Sequence, residues 1–308
     1  VFTQLLNRIS ALAARGEPGP AVPLPVAGES VLVAPVSVTR VPAIPKPVAA
    51  PAICWTPARL QVVESLWGEG YVFPNGHEEA LRLARSLALS NATSLLLVGA
   101  GSGGPAFAIA AELGAWVSGF EADPTLAAVA TERGVRGGFG RRAEIKTWEP
   151  QEPNFSRRTY HHAMALEALR GGQVGATLVS VFRALRPGGQ LVMIDLVADS
   201  RLDPDDEAVR AWCRMENRSP AVPSERAITE ALGGLGFDVR VAEDISVRHM
   251  QQALRGWHQA IRHMQASKPH PTVARLIVAE AELWLRRVSL LRARRIRLVR
   301  WHAIRAAG

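Results

Sequence analysis

The chain has 308 residues, 48% hydrophobic and 21% charged, with a formal net charge of +8 and two cysteines, Cys54 and Cys213. This is ordinary globular composition for one large or two smaller domains, and it excludes a collagen-like, coiled-coil or wholly disordered chain. Two cysteines make neither a disulfide framework nor a four-thiolate zinc site, and no uncharged apolar run is long enough to span a bilayer, so a reducing, cytoplasmic setting is the expectation.

The charge is unevenly placed. Residues 275–308 hold nine arginines and two glutamates, a net of +7, which leaves +1 for the other 274 residues. The basic character therefore belongs to the C-terminal segment, and nucleic-acid binding by a basic domain is not expected.

In chain order, Phe2, Leu5, Ile9 and Leu12 recur at helical spacing, which predicts an amphipathic helix over 1–15. Its apolar stripe needs a partner, and a protein partner for residues 1–15 is one candidate. Residues 16–57 form a proline-rich linker: ten of the 21 prolines lie within 18–57, and proline both fixes φ and removes a backbone donor. The body is expected to begin near residue 58 and to fold without what precedes it.

Residues 58–66 and 77–90 read as helices joined by Trp67-Gly-Glu-Gly-Tyr71. Ser94-Leu-Leu-Leu-Val98 reads as a short buried strand, 104–114 as an alanine-rich helix and 115–120 as a second strand, together a βαβ unit. Further on, 174–185 is a helix, Arg186-Pro-Gly-Gly189 a turn and 190–194 a strand. A helix at 224–235 precedes a strand at 237–241, and two helices fit 249–266 and 271–292.

The strongest chemical signal is Val98-Gly99-Ala100-Gly101-Ser102-Gly103-Gly104 between strand and helix, with Glu121 at the carboxyl end of the next strand. Glycines there let a ligand approach the backbone, the helix N-terminus offers N–H donors, and the carboxylate suits ribose hydroxyls. A tight turn without ligand is the competing reading. Gly99-x-Gly101-x-x-Gly104 also fits a dinucleotide fingerprint, so an FAD- or NAD-binding oxidoreductase stays open. Tyr160-His161-His162 are placed at the end of the fourth strand, where either histidine would act as a base, against a packed or solvated role for both. The histidines are adjacent and lack zinc spacing, so no metal is expected.

The glycine loop, Glu121 and Leu185-Arg-Pro-Gly-Gly189 before an apolar strand resemble the class I S-adenosylmethionine-dependent methyltransferases. Glu64-Ser-Leu-Trp-Gly-Glu-Gly-Tyr71, followed by Asn75-Gly76, is more distantly similar to the prelude of phosphoethanolamine- and sarcosine-type N-methyltransferases. The resemblance implies an α/β, Rossmann-like sheet, mostly parallel, over residues 58–308. Residues 237–244 would be its sixth strand, 246–293 a helical insertion and 295–303 an antiparallel seventh strand beside the fifth. It implies S-adenosylmethionine as cofactor, held by Gly99, Ala100, Gly101, Ser102, Gly103 and Glu121, with the loop N–H groups receiving the methionyl end and Trp148 against the adenine. The implied activity is methyl transfer to a small-molecule acceptor, an amine or a hydroxyl. The family's acidic residue before the first loop glycine is replaced by Val98, its prelude tyrosine by Val63, and a Phe-Asp pair by Phe155-Ser156. These departures motivate a second reading, a catalytically degenerate binding or assembly subunit.

Overall fold

The computed structural model describes residues 54–171, 173–266 and 269–307, and the expectations for residues 1–53 lie outside them. Helix α1 (Pro57–Trp67) starts where the sequence directs it: the Thr56 hydroxyl accepts from the Arg59 N–H and proline occupies the first turn. Helix α2 (Gly76–Arg85) follows, then β1 (Ser94–Val98), α3 (Gly104–Glu112), β2 (Trp116–Glu121), α4 (Pro124–Arg136) and β3 (Ala143–Thr147). The second half runs β4 (Tyr160–Leu166), α5 (Val174–Ala184), β5 (Leu185–Val197), α6 (Glu207–Glu216), α7 (Glu225–Leu235) and β6 (Phe237–Asp244). It closes with α8 (Ser246–Ala266), α9 (Pro271–Arg292) and β7 (Arg297–Arg305).

The seven strands lie in the order β3-β2-β1-β4-β5-β7-β6. The first five pair in parallel, while β7 runs antiparallel to both β5 and β6. β1 has no exposed residue between Leu95 and Val98, as a central parallel strand covered on both faces requires. One apolar cluster fills each face of the sheet: Leu95, Leu97, Met164, Val192 and Ile194 on one side, Leu96, Val98, Ala163, Ala165 and Met193 on the other. A third cluster packs α1 against α8 and α9 through Trp67, Trp257 and Trp284, with Trp67 edge-on to both other indoles.

The expected antiparallel strand near the C-terminus forms at Arg297–Arg305, and the two helices before it occupy 246–292. Two local expectations need correction. Arg186–Gly189 is not a turn outside the sheet but part of β5: Leu185 pairs with Tyr160 and Gln190 with His162, so these residues bulge, with Gly188 at φ +74°. And Tyr160, His161 and His162 open β4 rather than end it.

The C-terminal arginines are engaged inside the molecule. Arg295 meets Asp206 at 2.8 Å, Arg297 meets Asp199 and Glu225 at 2.6 and 2.7 Å, and Arg300 meets Glu243 at 3.4 Å. Among the described residues no helix is long and apolar enough to cross a membrane.

Candidate active site

The order of strands reverses between β1 and β4, and in open α/β sheets ligands lodge at the carboxyl ends of strands flanking such a point. The glycine turn leaves β1 there. Gly99 adopts φ +82°, and a Cβ on it would lie 2.2 Å from the Leu166 carbonyl oxygen, so no other residue fits between the exits of β1 and β4.

Glu121, the last residue of β2, braces the turn. Its Oε2 accepts from the Gly101 N–H at 2.7 Å and its Oε1 from the Asp123 N–H at 3.0 Å. Burial raises its pKa above the ordinary carboxylate value, and these two backbone donors only partly offset that. Each oxygen keeps a lone pair for a further donor.

Most of the loop N–H groups have partners within the protein. Gly99 and Ala100 donate to the Phe120 carbonyl, Gly101 to Glu121, Gly103 to Ala100, and Gly104 to the Gly70 carbonyl at 2.9 Å. Ser102, fully buried, gives its hydroxyl to Glu64 at 2.8 Å. The glycines serve close packing: a Cβ on Gly70 would come within 2.8 Å of the Gly104 Cα.

Glu64, on α1, joins the loop from the other side. It accepts from Ser102, from the Gly70 N–H at 3.1 Å and from both Arg133 guanidinium nitrogens of α4. Burial alone would raise its pKa, but the bonds from Arg133, Ser102 and Gly70 outweigh burial and lower it. Tyr71 adds a hydroxyl bond to the Gly104 carbonyl at 3.2 Å. The Trp67–Tyr71 segment is therefore bolted onto the glycine turn.

Trp148 follows the end of β3, with its N–H donating to the Glu121 carbonyl at 3.2 Å. Its ring tilts against Phe155 at 5.4 Å, and its indole N–H is buried without a hydrogen-bond partner. A half-buried aromatic with an unsatisfied donor beside Glu121 is chemistry that fits a heteroaromatic ligand.

His161 and His162 do not join this site. His162 pairs in register with Leu95 at the entry of β1, three residues before Val98. At about 3.3 Å per residue that puts the histidines roughly 10–15 Å from the glycine turn, at the opposite edge of the sheet. Burial, with His161 and His302 nearby, lowers the His162 pKa to about 4.

A second group of residues, absent from the sequence reading, stands at the carboxyl end of β4. Glu167 takes φ +46°, an uncommon backbone state for a non-glycine residue and one that clusters at functional sites. Its carboxylate meets Arg287 of α9, Arg170 at 3.0 Å and Arg218 at 3.5 Å. Arg287 also reaches Glu216 at 3.2 Å, and Arg218 reaches Glu216 at 3.3 Å. Burial opposes the charge on Glu167, but Arg287, Arg170 and Arg218 outweigh it and hold its pKa well below the usual carboxylate range. Beside this network His249 is buried and kept neutral, its pKa lowered to about 3 by burial and by Arg287. Asp195 is pushed up to about 6 by burial, with its two oxygens accepting from the Leu169 and Leu196 N–H groups. The one sequence signal for Glu167 was its position directly after a buried strand at the reversal point; Glu216, Arg218 and Arg287 carry no local motif.

Two curated relatives share part of this sequence. The sterol 24-C-methyltransferase of Yarrowia lipolytica is 25% identical over 194 residues, 58% of this chain and 51% of that protein. The sterol 4-C-methyltransferase strm-1 of Caenorhabditis elegans is 29% identical over 136 residues, 42% and 40% of the two chains. The chain thus spans about half the length of the curated relatives it matches. Among solved structures, the Haemonchus contortus phosphoethanolamine N-methyltransferase 2, in complex with phosphomonomethylethanolamine and S-adenosylhomocysteine, superposes with a TM-score of 0.69 at 17% identity. That match covers 80% of this chain and 57% of the other. The chain therefore has the fold of an S-adenosylmethionine-dependent methyltransferase. No family model matches the chain. The order β3-β2-β1-β4-β5-β7-β6, with β7 antiparallel, differs from the 3-2-1-4-5-6 order of the dinucleotide fold. Both curated relatives are named as enzymes, so the degenerate-subunit reading gains no support.

Proposed function

We propose that the protein transfers a methyl group from S-adenosylmethionine to a small-molecule acceptor that enters beside Glu167. The observation that carries this is the placement of two dissimilar groups across one reversal point. The glycine turn with Glu121 lies beyond β1 and β2, and the Glu167 network lies beyond β4. Gly99–Gly103 give the backbone approach, Glu121 keeps lone pairs for ribose hydroxyls, and the orphan Trp148 N–H suits a ring nitrogen of adenine. When bound, the cofactor supplies an electrophilic methyl on a sulfonium; the protein's part is alignment and exclusion of water.

The acceptor class follows from the lack of a poised base on this side among the described residues. An alcohol must lose a proton as it is methylated. Glu167 is held ionised and weakly basic, His249 is held neutral at about 3, and Asp195 is buried at 2% exposure. An unprotonated amine attacks with its lone pair and leaves as an ammonium, so the transfer needs no base. An electron-rich alkene carbon, of the kind the curated relatives' names imply, attacks with its π electrons; the carbocation formed loses its proton only afterwards, to solvent or a nearby carboxylate.

The test is calorimetric titration with S-adenosylmethionine, S-adenosylhomocysteine, FAD and NAD, followed by detection of S-adenosylhomocysteine formed with amine, alcohol and alkene acceptors. The expected result is binding of the first two ligands alone, and turnover with an amine or an alkene. Dinucleotide binding without sulfonium binding would overturn the methyltransferase reading. Turnover confined to alcohols would overturn the acceptor class.

A further inference from the structure

The opposite edge of the sheet carries a groove that the methyltransferase reading does not use. It encloses about 340 Å³ at the amino ends of β1, β2 and β4, and its walls include Trp116, Arg141, Arg142, Glu144, His161 and Arg186. Three arginines against one carboxylate make it electropositive, and the carboxylate has a partner of its own, Lys146 at 2.9 Å. The Arg142 guanidinium lies over the Trp116 ring at 5.0 Å, and 46% of Trp116 is exposed.

His161 sits between groups that serve either of its tautomers. Ser94 presents both its backbone N–H at 3.0 Å and its hydroxyl at 2.9 Å to Nδ1, and Arg186 Nη1 lies 2.8 Å from Nε2. With Nδ1 donating to the Ser94 hydroxyl, Nε2 accepts from Arg186. With Nδ1 accepting from the Ser94 backbone N–H, Nε2 carries the proton and faces the guanidinium as a second donor. One oxyanion bridging Nε2–H and guanidinium satisfies both with charge-assisted bonds and selects that second arrangement. The groove supplies further cations in Arg141 and Arg142 to neutralise such an anion.

We propose that this groove binds a phosphate group, held between the His161 Nε2–H and the Arg186 guanidinium. The phosphate is either free or the end of a small phosphate monoester, for which the exposed Trp116 face offers a flat apolar contact. The site stands at the far end of the strands from Gly99 and Glu167, so its occupant is an additional ligand rather than the methyl acceptor. It does not depend on the reading of the carboxyl edge.

The linkage gives a signature that simple crowding of charge does not. In the ligand-free protein, burial and then Arg186 lower the His161 pKa. The charged groups around the ring are Arg186, Arg141, Arg142 and Glu144, with His162 at 6.5 Å between ring centres. A bound dianion reverses that balance and raises the His161 pKa. The experiment is titration of the full chain with inorganic phosphate, phenyl phosphate and chloride at constant ionic strength. The His161 ring nitrogens are followed by NMR, alongside Arg186→Gln and, as a fold-neutral control, Arg226→Gln. The expected result is a saturable shift with the phosphates and not with chloride, and a His161 pKa raised by about one unit on binding. Affinity should be reduced roughly ten- to hundred-fold in Arg186→Gln and unchanged in Arg226→Gln. Tighter binding of phenyl phosphate assigns the site to a monoester, and equal binding assigns it to free phosphate. No saturable shift, or equal affinity in Arg186→Gln with an unchanged melting temperature, overturns the proposal.

Discussion

The two halves of the carboxyl edge are built on different principles. On the β1–β3 side the site is local: the glycine turn, Glu121 and Trp148 fall within residues 99–148, and each sits at the end of a strand or in the turn that leaves it. On the β4–β5 side it is assembled from afar, with Glu167, Glu216, Arg218 and Arg287 delivered by segments up to 120 residues apart. The first half uses backbone geometry and glycine, the second uses buried charge. Backbone geometry tolerates no added atom, whereas a charge network tolerates reshaping only while its sum stays balanced.

The sharpest way to break that contrast is Arg287→Leu. It leaves Glu167 and Glu216 buried without their main cation, and removal of one partner from a buried ion network destabilises by about 3–5 kcal/mol. Urea unfolding should show that loss; a variant as stable as the parent would show that solvent or Arg218 and Arg170 already compensate. Next comes Glu121→Ala, which removes acceptors for the Gly101 and Asp123 N–H groups and for the ribose. Calorimetry should find S-adenosylmethionine bound about ten- to several-hundred-fold more weakly, and unaltered binding would show that the carboxylate only braces the turn. Gly70→Ala tests steric intolerance: with φ at +87° and the Gly104 backbone 2.8 Å from a new Cβ, stability should fall by about 1–3 kcal/mol. A neutral outcome in thermal melts would mean that the prelude can lift off the loop.

The smallest effect concerns acid. The Glu64 pKa is lowered in the folded protein, so the folded state favours its ionised form. Its contribution is complete above the unfolded carboxylate pKa of about 4.3 and is lost as pH falls through the lower folded value. Glu64→Gln should therefore flatten the stability-versus-pH curve below about pH 4.5 and leave its slope near neutrality alone. Equal slopes for parent and variant in that acid window would remove Glu64 from the latch.

These contrasts also explain what could be read without coordinates. Ser94–Val98, the glycine turn and Glu121 are legible because each is a local pattern with one physical use. The antiparallel return at 297–305 was legible only through the family resemblance, since its arginines equally suit a basic helix. The histidines were misplaced because polar residues beside an apolar run mark a strand end without saying which end. Ala163–Leu166, buried throughout, continue the strand after them, which makes the histidines its entry. Arg287 could not be found from sequence, because the reason for a buried arginine lies in carboxylates from other segments.

The position of β7 has a consequence for how the chain is made. It lies between β5 and β6, and among the described residues β6 pairs with no strand but β7. Val197 of β5 is paired with Arg297, a hundred positions later. At about 5–20 residues per second, a ribosome exposes the β5 edge for roughly 5–20 seconds before its partner exists. From the emergence of Asp244 until that of Arg297, β6 is a strand without a sheet. An open edge of this kind invites pairing with other chains, so the nascent sheet is most vulnerable to aggregation after β5 and before β7 is made. Of the seven described strands, the seventh is the one that closes the gap.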